Sequence, residues 1–275
     1  MNKGKSNKIP REQARTQAQA HTRTQGAAVR SGRVRAVKPS RAHVRSSAAP
    51  VMQLNVLIAC EESQAECLAF RALGHNAYSC DIQPARYRPD WHILDDCRPY
   101  LRGETKFVTQ DGVSRNVSGW DLIISHPPCT YLCKVSSVHM VQNGIINEER
   151  YQLMRQARSF FFECLNANCS YVAVENPLPM GRAELPPPSC FIQPSWFGVK
   201  YTKKTLYWLK NLPPIMPEIE YPDPKEFVRA SRGKYRSRTF PEVAQAIALQ
   251  WSEYIIQEEL RLRDIAASGR GAFGR

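Results

Sequence analysis

The sequence predicts an open α/β sheet, doubly wound and mostly parallel, preceded by a disordered basic tail. Three observations predict it. Short apolar runs alternate with stretches whose apolar residues recur at helical spacing. The first such pair closes into a strand–helix–strand unit of about thirty residues. The polar residues that stand out also follow apolar runs, and in parallel sheets ligands bind outside the carboxyl ends of the strands.

The elements follow in order. Gln53-Leu-Asn-Val-Leu-Ile-Ala59 is a short apolar run, as expected of a strand buried on both faces. Residues 63–73 carry Cys67, Leu68, Phe70, Ala72 and Leu73 on one helical face, and Gly74 stops that helix. Ala77-Tyr-Ser-Cys80 reads as the second strand and ends in Asp81. His92-Ile-Leu94 is a short apolar step before Asp95 and Asp96. Trp120-Asp-Leu-Ile-Ile-Ser125 is the third apolar strand. Asn147 to Asn166 reads as a long helix with Leu153, Ala157, Phe160, Phe161, Cys164 and Leu165 facing inward. Tyr171-Val-Ala-Val174 and Leu206-Tyr-Trp-Leu209 are further strands. A final helix runs from about Pro241 to Ile265, and residues 266–275 read as a flexible tail.

Charge is distributed unevenly. The 275 residues carry +13, of which residues 1–50 contribute +11 through twelve Lys/Arg and one acid, Glu12. That segment has no Phe, Trp, Tyr or Leu, too little apolar surface to offset chain entropy, so residues 1–51 are expected to be disordered. It lacks the apolar core of a secretory signal, and no later run is long enough to span a membrane. Its Lys/Arg density continues without the amphipathic face of an organelle transit peptide. The tail has two readings. It could bind phosphate non-specifically, or Met52, just before the first strand, could be the native start.

The nine cysteines are odd in number and lie in strand-like and helix-like stretches, so reduced cytoplasmic thiols are expected rather than a disulfide scaffold. Cys129/Cys133 and Cys164/Cys169 lack CxxC spacing, and no histidines stand at zinc-finger distance, so no metal is expected.

Five places after apolar runs could carry chemistry. Asp81 could accept from a ribose diol or merely cap the strand end. The first loop, Ala59-Cys-Glu-Glu-Ser-Gln64, lacks the glycines that let a pyrophosphate approach, and Glu61 and Glu62 repel phosphate. A cofactor with a cationic or zwitterionic group suits it better. Asp95 or Asp96 could bond an adenine amino group or be an exposed acidic loop. In Ser125-His-Pro-Pro-Cys129, two prolines hold Cys129 rigidly at the sheet edge. That thiol is a nucleophile if something takes its proton, or a buried structural cysteine if nothing does. Glu175, in Glu175-Asn-Pro177, follows a strand that reads as fully buried. It could be held protonated to donate to a ring nitrogen, or pair with Arg182. Together, Cys129 and Glu175 are the parts for activating a pyrimidine, the thiol adding to C6 and the acid supporting N3.

This set of residues resembles the cytosine-C5 DNA methyltransferases, most closely their short phage and prophage members. The similarity runs through Val56-Leu-Ile-Ala-Cys-Glu-Glu-Ser63, Ala69-Phe-Arg-Ala-Leu-Gly-His75 and Ser79-Cys-Asp-Ile82. It continues in Ser125-His-Pro-Pro-Cys-Thr-Tyr-Leu132, Val174-Glu-Asn-Pro177, Gln193-Pro-Ser-Trp-Phe-Gly198, Thr202 to Pro213 and Arg236 to Ile247. The resemblance implies a class I methyltransferase-like (Rossmann-like) sheet over residues 52–265, S-adenosyl-L-methionine as methyl donor and DNA as partner. It implies Cys129 as nucleophile and Glu175 as the acid on N3. Cys60, Glu61, Ser63, Asp81, Asp96, Ser125 and Pro127 would line the cofactor. Pro128, Thr130, Asn176, Lys203, Thr205 and Arg238 would line the base.

The chain departs from the larger family at Thr130, where that family has Gln, and at Pro177, where it has Val. Gln64 stands where the short phage proteins usually have Gly. The 26 residues between Leu209 and Arg236 are too few for a folded DNA-reading module, so the resemblance leaves duplex, single strand and free nucleotide open. Ser125-His-Pro-Pro-Cys also partly imitates the Pro-Pro-aromatic turn of exocyclic-amine methyltransferases, with Tyr131 two residues on. A lapsed fold that binds nucleic acid through its basic tail is the third reading.

Overall fold

The computed structural model describes residues 52–219, 228–229 and 238–270. Seven strands form the main sheet. They are β1 (Asn55–Ala59), β2 (Asn76–Asp81), β3 (His92–Leu94), β4 (Leu122–Ser125), β5 (Tyr171–Asn176), β6 (Cys190–Ile192) and β7 (Thr205–Lys210). Their order across the sheet is β6-β7-β5-β4-β1-β2-β3. All are parallel except β7, which runs antiparallel to β5 and β6. The chain therefore turns from building one half of the sheet to the other between β1 and β4. That switch point leaves a crevice at the carboxyl ends of the strands.

The central strands read as apolar runs because both of their faces are covered. Leu57, Ile123, Val172, Val174, Leu206 and Trp208 point to one face, with Phe161 and Cys164 of the helix α3 (Glu148–Leu165) and Tyr100 and Leu101 of the short α2 (Arg98–Leu101). Val56, Ile58, Leu122, Ile124, Ala173 and Tyr207 point to the other, against α1 (Ala65–Ala72) and α4 (Pro241–Arg270). On α4, Ala244, Ile247, Ala248, Trp251 and Ile255 recur at the spacing of one helical face, and all are fully buried. The Trp251 indole N–H donates to Pro213 O at 3.1 Å, so the one polar atom of that ring is satisfied.

Helix ends follow local chemistry. Asn147 accepts from the Arg150 N–H at 3.0 Å and starts α3, with Glu148 and Glu149 in the first turn. Gly74, at φ 89, ends α1 in a conformation that costs glycine little. The long elements stand within two residues of their expected bounds at most ends, with three differences. Trp120 lies outside β4, and its indole N–H donates to Glu104 O at 2.9 Å. The 92–94 step is an edge strand, β3. Helix α4 continues to Arg270, five residues past its expected end. The sequence reading missed β6 and the hairpins Lys106–Val108/Ser114–Asn116 and Val141–Gln142/Ile145–Ile146, which are too short for a period to register. Residues 266–270, expected in the flexible tail 266–275, are helical instead; residues 271–275 and the expected tail 1–51 lie outside the described residues. No described helix is long and apolar enough to cross a membrane.

Candidate functional site

Because β1 to β5 are parallel, Cys60, Asp81, Asp95, the Ser125–Cys129 turn and Glu175 all emerge at one edge of the sheet. Strand β7 is antiparallel, so its first residues reach the same edge. Leu206 pairs with Asn176, which sets Lys203 and Thr205 beside Glu175. The segment leading into α4 crosses the same edge, where the Lys203 Nζ donates to Arg238 O at 3.1 Å.

At the centre lies a buried chain of charges that the sequence reading did not single out. His126 sits between two carboxylates. Its Nε2 is 3.0 Å from Glu66 Oε2, and its Nδ1 is 3.5 Å from Glu175 Oε2. Glu66 is fully buried on the inner face of α1, and its other oxygen accepts from Thr239 Oγ1 at 3.1 Å. Burial alone would lower the His126 pKa, but the charges and hydrogen bonds of Glu66 and Glu175 outweigh it and raise it well above the usual value.

Of the two states expected for Glu175, a protonated carboxyl or an ion pair with Arg182, an ion pair is found, with a different partner. Burial does push its pKa up, but the His126 contact and the Lys203 charge more than offset that, and the net shift is downward. Glu175 is therefore ionised at rest. Its ion partner is His126, not Arg182, which is exposed.

Cys129 is half-buried after the two prolines, with Pro127 buried and Pro128 and Thr130 exposed. Burial, Cys133 and the Glu175 charge push its pKa up to about 11. Backbone hydrogen bonding to Cys129 favours the thiolate but is outweighed. Cys129 at rest is a thiol, and Glu175 is close enough for its charge to be felt there.

The cofactor side is mixed. Glu61 does not face an open site. Its carboxyl accepts from the N–H groups of Glu66 at 2.7 Å and Cys67 at 3.3 Å and so occupies the N-terminus of α1. Burial, then the Glu66 charge, raises its pKa to about 8. Gln64 is also turned inward. Its amide donates to Ser79 Oγ and Arg88 O and accepts from the N–H groups of Tyr87 and Arg88, at 2.7–3.2 Å. Ser63 and Ser125 are buried. The Cys60 thiol lies 3.8 Å from that of Cys97. Asp81 is half-buried, with one oxygen accepting from Gln83 N at 2.9 Å. Asp96 is tied to the start of α2, accepting from Arg98 N and pairing with its guanidinium, both at 2.9 Å. Asp95 takes the Tyr100 hydroxyl at 3.2 Å.

On the base side, Thr205 Oγ1 donates to Lys203 O at 3.1 Å. Asn176 is fully buried. Its Nδ2 donates to Pro177 O at 2.7 Å, and its Oδ1 has no partner among the described residues. Arg238 approaches Glu62 at 4.0 Å. The structure thus brings Cys129, Glu175, Asn176, Lys203, Thr205 and Arg238 to one end of the edge, and Asp81 and Asp96 to the other. Glu66 was detectable as an acid on the apolar stripe of α1, four residues before Phe70. His126 was detectable only as part of its Pro-Pro turn. Among the described residues, no group of His, Cys, Asp or Glu is arranged to hold a metal.

No protein-family profile matches the chain, and no curated protein matches it. Among solved structures, it is similar to an E. coli prophage-encoded protein described as a candidate DNA modification methyltransferase. The TM-score is 0.33 at 12% identity, covering 57% of this chain and 46% of that one. The chain thus spans under half the length of that structure.

Proposed function

We propose that the protein is an S-adenosylmethionine-dependent DNA cytosine-C5 methyltransferase of the class I, Rossmann-like type. The observation that carries the reading is the pairing of Cys129 and Glu175 at the ends of adjacent strands, with the charge of one acting on the other. The motif resemblance and the seven-strand, mostly parallel sheet support it. The unpartnered Asn176 oxygen supports it further, as an acceptor suited to an exocyclic amino group.

The donor set fits a nucleoside cofactor without phosphate. Glu61 fills the helix terminus that would hold a phosphate, and Asp81 remains accessible to a ribose diol. Asp81 would hold the ribose, Asp96 or Asp95 the adenine, and the Cys60–Ser63 backbone the methionine portion, with Ser125 and Pro127 as the floor. When bound there, the cofactor supplies the electrophilic methyl group that C5 takes.

The protein's own residues do the rest. The target base leaves its stack, at a cost of about a few kcal/mol, to reach the sheet edge. Lys203, Thr205, Asn176, Pro128, Thr130 and Arg238 surround it. Cys129 sulfur adds to C6, the thiol proton leaving to water, and Glu175 donates to N3 so that the electron pair displaced from the C5–C6 bond is accommodated. After C5 is substituted and loses its proton, the C6–S bond breaks and Cys129 is restored. Glu175 is ionised at rest, so it must gain a proton when the base arrives.

The test is incubation with labelled S-adenosylmethionine and DNA, followed by nucleoside mass spectrometry. The expected product is 5-methylcytosine, absent with Cys129→Ser. N4-methylcytosine or N6-methyladenine would favour the exocyclic-amine reading instead.

A further inference from the structure

We propose that His126, held by Glu66, is the proton reservoir of this site, supplying Glu175 with the proton it hands to the base and taking it back on release. This rests on the cytosine-C5 reading and adds a residue to it. His126 touches no substrate atom, so it is a positioning and proton-holding residue that acts through Glu175.

The geometry carries the inference. Among the described residues, the cationic neighbour in ion-pair contact with Glu175 is His126, at 3.5 Å. The opposite ring nitrogen is fixed at 3.0 Å to a fully buried carboxylate. Three elements lock that carboxylate and ring: α1 through Glu66, the turn after β4 through His126, and Thr239 ahead of α4. An imidazolium donates from both nitrogens, and two facing carboxylates satisfy both donors. The ring is 15% exposed, so water has little access to it as a rival proton source. A contact of 3.5 Å is long for transfer, but such contacts shorten when substrate closes the site.

The other groups facing this cluster fit the role. Glu61 lies behind α1's first turn, and the His126 charge acts on it, opposing the rise in its pKa. Lys203, ahead of β7, balances Glu175, and the Tyr207 hydroxyl on β7 is held protonated by burial and by the Glu66 and Glu175 charges. Cys129 feels Glu175 but is not among the groups that shift His126. Arg238 contributes its carbonyl to Lys203 and its guanidinium to Glu62.

The step balances as follows. The Nδ1–H bond of the imidazolium breaks, its electron pair stays on Nδ1, and an O–H bond forms at Glu175 Oε2. Glu175 passes a proton to N3 as the C6–S bond forms. Neutral His126 keeps its Nε2–H on Glu66. When the C6–S bond breaks, N3 returns its proton through Glu175 to Nδ1. No oxidant or other co-reactant enters.

The test is the single-turnover rate of 5-methylcytosine formation against pH, for the parent chain, Glu66→Gln and His126→Gln. Cofactor binding is followed by calorimetry. The parent rate is expected to fall at high pH as His126 loses its proton. Glu66→Gln is nearly isosteric and removes the anion that retains that proton, so the alkaline limb moves down by about one pH unit or more. His126→Gln loses the limb and transfers roughly a hundredfold more slowly, with cofactor binding unchanged. An unmoved limb in Glu66→Gln, or a parent-like rate in His126→Gln, overturns the proposal alone. If His126→Gln does not fold, the Glu66→Gln limb decides. A parent chain that forms no 5-methylcytosine at any pH overturns the cytosine-C5 reading and this inference together.

Discussion

Gln64 adopts φ 59, a left-handed backbone costing a non-glycine residue about 1–2 kcal/mol. Its side chain makes four hydrogen bonds to residues 79, 87 and 88, each worth about 1 kcal/mol. The bonds win, which accounts for a non-glycine residue at this backbone angle. The residue ties down the loop after β2. Cys129 shows the opposite balance, since burial, Cys133 and the Glu175 charge outweigh the backbone hydrogen bond that favours its thiolate. Alkylation of Cys129 by iodoacetamide, read peptide by peptide in a mass spectrometer, should therefore keep rising with pH past about 10. A plateau already reached by about pH 8 would contradict the raised thiol pKa. Sequence could locate Cys129 but not its protonation, because the groups that set it come from β5 and from Cys133.

Helix α1 owes its start to Glu61, which holds the first amides of the helix in place of a small capping residue. The folded Glu61 pKa of about 8 lies above the 4.5 of a free glutamate, so the folded chain binds the extra proton between those values. Stability then falls as pH rises through that window. His126 acts in the same sense, its raised pKa stabilising the fold until the folded group itself titrates. His75 and His92, lowered chiefly by burial, act oppositely but only below about pH 6.5. The urea midpoint should thus decline from about pH 7 to about 8.5, and less steeply in Glu61→Gln. A rising midpoint, or an equally steep decline in the variant, would contradict the assignment. The elements legible in sequence were those long enough to show a period or an apolar run: β1, β2, β4, β5, β7, α1, α3 and α4. Strand β6 was not, with three residues following Pro186, Pro187 and Pro188.

Across the whole molecule, strand order converts scattered residues into a site. Cys129 and Glu175 could be picked out because each follows an apolar run, and parallel pairing of β4 and β5 makes them neighbours. The Glu66–His126 contact could not be, because it joins residues sixty apart in sequence through packing of α1 beneath the sheet edge. Charge misleads in the same way. Most of the +13 lies in residues 1–50, outside the described structure, while the groups that matter in the cleft are a near-balanced set of buried acids and cations. The central claim is covalent attack by Cys129 on a cytosine ring. Its most direct measurement uses DNA carrying 5-fluorocytosine, whose fluorine cannot leave C5 as a proton does, so the adduct persists. With S-adenosylmethionine present, a protein–DNA adduct should form, map to Cys129 by peptide mass, and be absent in Cys129→Ser. Methylation of ordinary DNA without any such adduct, or methyl found on an exocyclic nitrogen, would contradict the account.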